Sequence, residues 1–539
     1  MNCLRLTTQR GVAALMAVLF LIFMLGVVLV IAHQMAATDV HDSGAQNLSV
    51  EAVFLAESGL ERARRRFGDG TACTALGVDG PHNLGQGSFT VNSGATTDFD
   101  GVTVLPVNQC RVQVTGRITA TNVARTIEGI IQMGAKVQKG FFQKNTGNGN
   151  QTIAGVGFQP RAVIFFWTRQ TAVGYVANES MGFGFASGAA NQRSVAVISD
   201  DNAGNSDFKR NRSAADVIMV LVPNTGAGNT INNGARASFT SFNADGFQIN
   251  WTDNDGRADI IHYIALGGDI TNAFAGTLNA NTATAAGLGF QPDVVLFLNS
   301  TINSGENNDG TVYNRKQFNL GMMTSAGQQW AISACGRDNR DNPPHSRGQQ
   351  RTDRVIMTMN NNCNAQDSLA TFVSMNAGGF TINWDNAAGN AFPIFYLALR
   401  GGQHGLGSFN QAAAAGNQPV AGIGFEPDGL FLASFNRPAS AAISPESEVS
   451  LGAASGTLAR GAIWSETRDL GTTDANTSTV TDRVIRMATS QTTNAEADLT
   501  SFDSAGFTLN WSAVDATARQ ILYWAVGSGA PVVRWRELP

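Results

Sequence analysis

The sequence has little charge and few histidines. Of its 539 residues only 14% are charged, and the net charge is −5; an average soluble protein has roughly 25% charged residues. Because nucleic-acid binding needs a dense basic patch, we expect no nucleic-acid partner. The sequence also lacks an HExxH motif, a GxSxG elbow and any CxxC pair. The common zinc hydrolases, serine hydrolases and zinc ribbons are therefore not expected.

The six histidines form no recognisable catalytic pattern. His262 lies in a repeated motif, but Phe395 and Leu522 occupy the matching positions, which indicates strand packing rather than catalysis. No pair of carboxylates recurs in every copy of the motif. We therefore expect a protein that is not an enzyme and that needs no cofactor.

Glycine, in contrast, is abundant, with 59 residues, and asparagine, threonine and serine are frequent around it. This mixture favours short strands joined by polar loops over helices, because glycine and asparagine favour turns. A chain of this length should also divide into three or four domains, at one domain per ~150 residues.

Four of the five cysteines fall into two nearby pairs, Cys73 with Cys110 and Cys335 with Cys363, whereas Cys3 stands apart. In a chain with an export segment, this grouping predicts two disulfides formed in an oxidising compartment. Spacing alone does not fix the connectivity, so free buried thiols remain the alternative.

The N-terminal part of the sequence predicts one long helix over residues 12–67. Residues 12–32 carry no charge and are numerous enough to cross a ~30 Å hydrocarbon core. Arg5 and Arg10 precede this run, and the next basic residue is Arg62. The positive-inside rule therefore places residues 1–11 in the cytoplasm and the rest of the chain outside. Apolar residues spaced by 3 and 4 continue along one helix face as far as Phe67.

A polar leader that ends in Gly11, followed by an apolar helix from Val12, resembles a type IV prepilin. The segment AESGLERA (residues 56–63) is similar to that of the PilX- and MshP-type minor pilins. This resemblance implies cleavage after Gly11 by a prepilin peptidase, methylation of Val12, and packing of the helix with other pilin subunits. It covers residues 1–136, about a quarter of the chain.

Met16 departs from the pattern of the major pilins, which carry glutamate at the fifth mature position. The PilX-type minor pilins and the K-type pseudopilins of type II secretion also lack this glutamate. The departure favours a filament tip or a rare position over the repeating shaft. An ordinary signal anchor is the alternative, because an apolar helix of this length indicates only a membrane span.

Residues 68–136 predict a small antiparallel sheet. Period-2 alternation marks GSFTVNSG (87–94) and CRVQVTGRITATNVARTIEGIIQM (110–133) as strands. With the helix, this region is expected to form a small pilin-like α+β domain.

Three landmarks then recur in the same order. They are AGVGFQP, AGLGFQP and AGIGFEP; GFQINW, GFTINW and GFTLNW; and HYIALGG, FYLALRGG and LYWAVGSG. The landmark glycines Gly157, Gly289 and Gly424 are about 130 residues apart. We therefore predict three copies of one domain, at 137–268, 269–402 and 403–530, followed by a C-terminal tail, 531–539.

Each copy is predicted to be an all-β sandwich or jelly roll, because the landmarks alternate with period 2 and are joined by Gly/Asn loops. The period is too long for a solenoid, so we expect three separate domains rather than stacked repeats.

Two groups of polar residues are candidate binding sites. Asn250, Asn383 and Asn510 each precede a tryptophan, and asparagine beside an aromatic ring could bind a sugar. Packing is the alternative that we favour for these motifs. Asp253, Asp255 and Asp259, and the stretch 200–207, resemble parts of calcium loops without the full EF-hand spacing, so Asx-rich turns are the preferred interpretation.

These features together predict a minor-pilin-like protein, inserted in the inner membrane as a precursor and then carried to the pilus or cell surface of a Gram-negative-type bacterium. It would assemble into or cap an MSHA-like type IV pilus and present β-modules to a surface glycan or protein ligand, or serve pilus biogenesis. Repeated modules suit weak multivalent binding. The alternatives are a K-type tip subunit of a type II secretion system, a signal-anchored surface binding protein, and a tethered surface enzyme.

Overall fold

The computed structural model describes residues 7–68, 71–105, 109–202, 206–222, 232–302, 312–338, 345–470, 472–528 and 532–538. Strands account for 60% of the structure. The chain divides into two compact units: the first is residues 1–131 with 532–539, and the second is residues 132–531. We call the second unit the β-body.

A helix, α1 (Thr7–Gly68), begins the described chain. Its side chains are described for residues 20–21, 23–30 and 46–68. Among the residues that the structure describes, no helix is both long and apolar enough to cross a membrane. The predicted processing site, Gly11 and Val12, and the informative Met16 lie where side chains are not described.

The first unit also contains an antiparallel sheet. Its strands, in spatial order, are β1 (Asp79–Leu84), β2 (Gly87–Ala95), β3 (Gln109–Ile118), β4 (Ala124–Gln132) and the C-terminal strand Val532–Leu538. The predicted strands at 87–94 and 110–133 correspond to β2, β3 and β4. The expected tail, 531–539, contains a strand that completes this sheet.

The second half of α1 packs on the sheet through small residues. A Cβ at Gly116 of β3 would lie 2.0 Å from the backbone oxygen of Ala52, so only glycine permits this approach. Around this contact the helix buries a face of apolar side chains: Ala52, Leu55, Ala56, Leu60, Ala63 and Phe67. The disulfide Cys73–Cys110, with 5.5 Å between its Cα atoms, joins a single 3₁₀ turn (Cys73–Ala75) to β3.

The β-body consists of three copies of one eleven-strand pattern. The first copy contains β5 (Ala135–Gln143), β6 (Gly149–Ala154), β7 (Ala162–Thr168), β8 (Gly174–Ala177), β9 (Glu179–Gly188), β10 (Asn191–Ser199), β11 (Phe208–Ser213), β12 (Ile218–Val222), β13 (Asn232–Asn243), β14 (Gly246–Asp253) and β15 (Ile260–Gly268). The second contains β16 (Asn272–Asn279), β17 (Thr284–Ala285), β18 (Val294–Asn299), β19 (Tyr313–Asn314), β20 (Lys316–Thr324), β21 (Gln329–Gly336), β22 (Ser346–Arg351), β23 (Ile356–Met359), β24 (Gln366–Asn376), β25 (Gly379–Asn386) and β26 (Pro393–Arg400). The third contains β27 (Gln403–Asn410), β28 (Gly416–Ala421), β29 (Pro427–Ser434), β30 (Ser444–Pro445), β31 (Ser447–Ala454), β32 (Arg460–Arg468), β33 (Asp474–Val480), β34 (Ile485–Thr489), β35 (Thr492–Asp503), β36 (Gly506–Ala513) and β37 (Gln520–Gly527).

Each copy is a sandwich of a four-stranded and a seven-stranded antiparallel sheet. In the first copy the four-stranded order is β12-β13-β14-β6, and the same order recurs in the other two. The landmark glycines Gly157, Gly289 and Gly424 have φ between 78° and 89°, in the left-handed region, which explains why glycine recurs there.

The seven-stranded sheets exchange their outermost strands in a closed cycle. Strand β19 of the second copy pairs with β11 of the first, and β30 of the third pairs with β22 of the second. Strand β8 of the first copy pairs with β33 of the third, which completes the cycle. Each seven-stranded sheet therefore contains one strand that belongs to a neighbouring copy.

The three copies also share one hydrophobic core. Phe183, Leu320 and Leu451 occupy equivalent positions on β9, β20 and β31, and all three belong to the same buried cluster. The ring of Phe431 lies 6.1 Å from that of Phe183 and 6.3 Å from that of Phe166, across copies. A separate cluster fills the interior of each sandwich.

The expected fold class is therefore wrong. The chain is predominantly β, and the described residues do not establish a pilin-like α+β start. The expectation of three separate domains is also wrong, because the copies exchange strands and bury a common core. The physical reason is that an edge strand presents unpaired N–H and C=O groups, which the neighbouring copy pairs here.

Candidate functional site

The recurring asparagines lie on the four-stranded sheets and do not converge. Asn383 donates a hydrogen bond to Asp385 Oδ1 at 2.8 Å, and Asn510 donates one to Asn417 Oδ1 at 2.7 Å. Both are exposed, whereas Asn250 is half-buried. Each stands in a different copy, so the three form separate surface positions rather than one site.

The tryptophans beside these asparagines pack inward. Trp251 and Trp511 are buried, and Trp384 is half-buried. The indole N–H of Trp251 donates to Gln151 Oε1, and that of Trp511 donates to Gln418 Oε1, both at 2.7 Å. This arrangement supports packing over sugar stacking, because the ring faces are not available to a ligand.

Two of the three calcium candidates, Asp255 and Asp259, form ion pairs with basic side chains. Asp255 lies 2.8 Å from Lys144 Nζ and 3.2 Å from Arg169. Burial would raise the pKa of Asp255, but the hydrogen bond from Lys144 and its charge outweigh burial and lower it. Asp259 pairs with Arg257 at 3.1 Å. Over the residues described, no group of three potential metal ligands is present.

The second predicted disulfide is confirmed. Cys335 on β21 and Cys363, in the loop between β23 and β24, are bonded, with 5.6 Å between their Cα atoms. Both are buried. The disulfide therefore connects the loop 360–364 to the seven-stranded sheet of the second copy.

A buried ion pair joins equivalent positions of two copies. Glu179, Lys316 and Ser447 are the first residues of β9, β20 and β31. Lys316 Nζ donates to Glu179 Oε1, and both side chains are completely buried. Burial lowers the pKa of Lys316, and the charge of Glu179 offsets this in part. Thr467 Oγ1 of the third copy donates to Glu179 Oε2 at 2.9 Å, so one carboxylate connects all three copies.

The boundary between the first and third copies holds a second buried polar group. Lys139 Nζ on β5 lies 2.8 Å from His262 Nδ1 on β15 and 3.1 Å from the backbone oxygen of Arg460. His262 Nε2 lies 2.8 Å from Thr479 Oγ1. Burial lowers the pKa of Lys139 to about 7 and holds the pKa of His262 well below its usual range.

The contact between Thr479 and His262 is not an active site. Both residues are buried, as is Lys139, so no substrate can reach the hydroxyl group. The part of the chain that the structure describes therefore presents no accessible nucleophile with an adjacent base at this position. His262 packs within a strand, as the sequence indicates, but its polar partners come from residues 123 and 217 positions away.

A polar cleft of about 580 Å³ lies where the second copy meets the first. Its lining includes strand β19, with the flanking Val312 and Arg315, together with Arg210 and Thr301. The lining also includes the loop residues Asn360, Asn361 and Asn362, together with Met359, Asp367, Asn390 and Phe392. We call it the asparagine cleft.

Several amides of the asparagine cleft are available to a ligand. No hydrogen bond to another described residue involves the side chains of Asn361, Asn362 or Asn390, and all three are exposed. Arg315 forms no ion pair with the residues that the structure describes, whereas Arg210 is buried and donates to Thr301 Oγ1 at 2.9 Å.

The loop that carries these amides is held in place. Asn360 Oδ1 accepts hydrogen bonds from the backbone N–H groups of Asn362 and Asn364, at 3.1 and 3.2 Å. Cys363 has a positive φ of 55° and is bonded to Cys335. The loop is thus fixed before a ligand arrives, which reduces the entropy that binding must overcome.

The residue pair that borders the asparagine cleft, Arg210 and Tyr313, is replaced by other residues at the two equivalent boundaries. Arg210 faces Tyr313 across the exchanged strand pair, but Gly348 faces Ser444 and Thr477 faces Val176 at the other two boundaries. At the boundary of the first and third copies, Tyr175 instead lies against Trp464, with ring centroids 5.7 Å apart. The hydroxyl of Tyr175 is 2.6 Å from Thr493 Oγ1.

Sequence reasoning misses both the asparagine cleft and the buried ion pair. Glu179 and Lys316 are 137 positions apart and belong to different copies. In the cleft, Arg210 comes from the first copy, whereas the other lining residues come from the second. The run Asn360–Asn361–Asn362 before Cys363 is the one local signal that could have indicated the cleft.

Comparison with protein-family models, curated proteins and solved structures gives no match to this chain. The similarity of the N-terminal residues to minor pilins therefore stays a prediction from the sequence.

Proposed function

We propose that this protein is an anchored subunit of the type IV pilin pathway that presents the β-body at the cell surface. The observation that carries the proposal is a run of exposed apolar side chains on α1. Phe20, Phe23 and Leu29 are 63%, 68% and 70% exposed. Such a contiguous apolar surface marks contact with a membrane or with other apolar helices.

Three further features support this proposal. Gly11 stands directly before the apolar run, at the position that the resemblance to prepilins assigns to cleavage. The disulfides Cys73–Cys110 and Cys335–Cys363 suit a compartment outside the cytoplasm. The β-body presents a cleft whose exposed amides form no hydrogen bond with another described residue, and binding rather than catalysis is the activity that such a cleft supports.

The test is the N-terminal residue of the mature protein, measured by mass spectrometry in cells with and without the prepilin peptidase. We expect a methylated Val12 that disappears without the peptidase. Gly11→Ala should abolish processing, whereas the matched control Gly26→Ala, whose added Cβ meets nothing within 4 Å, should be processed normally. An intact Met1, in cells whose major pilin is processed, would contradict the proposal and leave a signal-anchored surface protein.

A tip subunit of a type II secretion system is the second candidate, because Met16 fits both systems. Sheared and purified pili separate the two. Detection of this chain in the filament fraction supports the pilus, and its loss from cells that lack only the secretion system supports the alternative.

A further inference from the structure

We propose that the asparagine cleft binds a saccharide. This inference rests on the proposed function, because it names the ligand class that the surface-exposed β-body would recognise. The cleft combines amide groups, one carboxylate, two guanidinium groups and aromatic rings in about 580 Å³, a volume within the range of small-molecule sites.

The polarity of the lining selects the ligand class. Sites for drug-like or lipid ligands are lined mainly by apolar side chains, whereas Asn314, Asn361, Asn362 and Asn390 line this cleft with amides. An asparagine side chain both donates and accepts hydrogen bonds, and so does each hydroxyl group of a sugar. A row of amides therefore complements a polyhydroxylated ligand better than it complements a purely anionic or purely apolar one.

The charged groups refine this choice. Among the described residues, Arg210 and Arg315 line the cleft together with one carboxylate, Asp367. From the described part of the chain, Asp367 Oδ1 accepts a long hydrogen bond, 3.4 Å, from the backbone N–H of Gly389. Asp367 can thus accept hydrogen bonds from sugar hydroxyls, and Arg315 can pair with a uronic or other acidic sugar. Neutral and acidic saccharides both present hydroxyl groups to Asp367, whereas only acidic saccharides can pair with Arg315. The effect of replacing Arg315 therefore distinguishes the two kinds of saccharide.

Tyr313 gives the cleft an aromatic surface for the ring carbons of a sugar, because its side chain is half-buried and lines the cleft. Met359 and Phe392 also line the cleft but are buried, so they support it rather than contact a ligand. Sugars present C–H groups on one face and hydroxyl groups at the edge, so a tyrosine wall with an amide rim matches both parts.

The recurring residues Asn383 and Asn510 serve as internal controls. They are also exposed asparagines, but each already donates its amide to a neighbour, and each lies on a four-stranded sheet outside the cleft. If asparagine exposure alone sufficed for binding, replacing them would matter as much as replacing the cleft residues.

The experiment uses the full-length chain in a detergent without a sugar head group. The probe is an array of neutral and uronic-acid-containing oligosaccharides, followed by calorimetry with the strongest binder. We expect Asn361→Ala/Asn362→Ala to weaken that binding by about tenfold or more, since each substitution removes an amide that hydrogen-bonds to the ligand. The control Asn383→Ala/Asn510→Ala should bind as the wild type does. Arg315→Ala should reduce binding of acidic oligosaccharides more than that of neutral ones.

The proposal is overturned if no oligosaccharide binds, if the Asn361/Asn362 variant binds normally, or if the control variant loses binding equally. Thermal unfolding of both variants verifies that their fold is intact. Methylation of Val12 is scored on the same samples. A chain that is processed but binds no saccharide overturns the cleft assignment alone, whereas an unprocessed chain that binds saccharide contradicts only the proposed pathway.

Discussion

Two boundaries within the β-body have the same backbone arrangement but opposite side-chain chemistry. At the boundary of the first and third copies, Lys139 and His262 form a buried polar group with Thr479. At the boundary of the third and second copies, Leu406 and Leu522 occupy the positions of Lys139 and His262 in an apolar core.

At all three boundaries between copies, a backbone N–H of one copy nevertheless donates a hydrogen bond to a side chain of the neighbouring copy. Ser455 accepts a hydrogen bond from the N–H of Lys139, and Ser187 accepts one from the N–H of Ala275, both at 2.9 Å. Gln328 Oε1 accepts one from the N–H of Leu406, again at 2.9 Å. The packing of the three copies against one another therefore depends on the exchanged strands and on hydrogen bonds from backbone N–H groups to side chains. The other buried side chains at the boundaries differ between copies.

The largest effect should follow from breaking the ion pair that joins two copies. Lys316→Ala leaves the carboxylate of Glu179 buried without its cation, which should cost about 3–5 kcal/mol of unfolding free energy. Denaturant unfolding measures this loss. The matched control is Arg354→Ala, which removes partly exposed ion pairs with Asp353 and Asp385 and should cost no more than about 1 kcal/mol for each pair. Equal effects in the two variants would show that the buried pair does not hold the copies together.

A smaller loss should follow from crowding β22, the strand of the second copy that pairs with β30 of the third copy. A Cβ at Gly348 would lie 1.6 Å from the ring of Phe435, which belongs to the third copy. We expect Gly348→Ala to lower the free energy of unfolding by about 1–3 kcal/mol, because the ring must move within a packed core. Gly378→Ala, where nothing lies within 4 Å, is the control. If the free energy of unfolding of Gly348→Ala were unchanged, the ring of Phe435 would not pack against Gly348 in the folded chain.

The polar boundary should respond to pH, and the apolar one should not. In the folded chain the pKa of Lys139 is about 7, below its usual value of 10.5. Between these two values the unfolded chain binds a proton that the folded chain does not, so the wild type gains stability as the pH rises through this window. Below pH 6.5 the unfolded chain also protonates His262, which the folded chain keeps neutral because its pKa is lowered. The folded state of the wild type therefore continues to lose stability as the pH falls below 6.5.

The variant Lys139→Leu/His262→Leu copies the boundary formed by Leu406 and Leu522. The free energy of unfolding of this variant minus that of the wild type should be highest at low pH. It should fall by at most about 1.4 kcal/mol per pH unit as the pH rises toward 10.5, because only the wild type gains stability with rising pH. Unfolding curves across the pH range measure this difference. A difference independent of pH would mean that Lys139 keeps its ordinary pKa in the folded chain.

The smallest effect concerns the hydrogen bonds that the boundaries share. Ser187→Ala and Ser455→Ala each leave one backbone N–H, of Ala275 or Lys139, without its acceptor. We expect each to cost about 1 kcal/mol, and nearly the same amount, because the geometry is the same at both boundaries. Thermal unfolding of the two variants tests this, and a clearly unequal pair of losses would contradict the equivalence of the boundaries.

The sequence allows the local structure to be predicted, but not the assembly of the copies. The landmarks mark β14, β25 and β36, and the cysteine spacing predicts both disulfides, because these features depend on residues near one another in the chain. The exchange of β8, β19 and β30 could not be predicted, since β19 and β30 are two residues long and carry no pattern of their own. The place of Arg210 in the asparagine cleft could not be predicted either, because Arg210 of the first copy meets Tyr313 only through the pairing of β11 with β19.

The most direct test of the closed cycle is a disulfide between β8 and β33, which join the first and third copies. Val176 and Thr477 are directly opposite each other in this antiparallel pair, at a separation that a disulfide can bridge. Under mild oxidation, Val176→Cys/Thr477→Cys should form this bond within one chain, detected by peptide mapping. The offset pair Val176→Cys/Ser478→Cys, whose side chains lie on opposite faces of the sheet, should form it far less. Absence of the 176–477 bond, or its formation only between chains, would contradict the closed three-copy body.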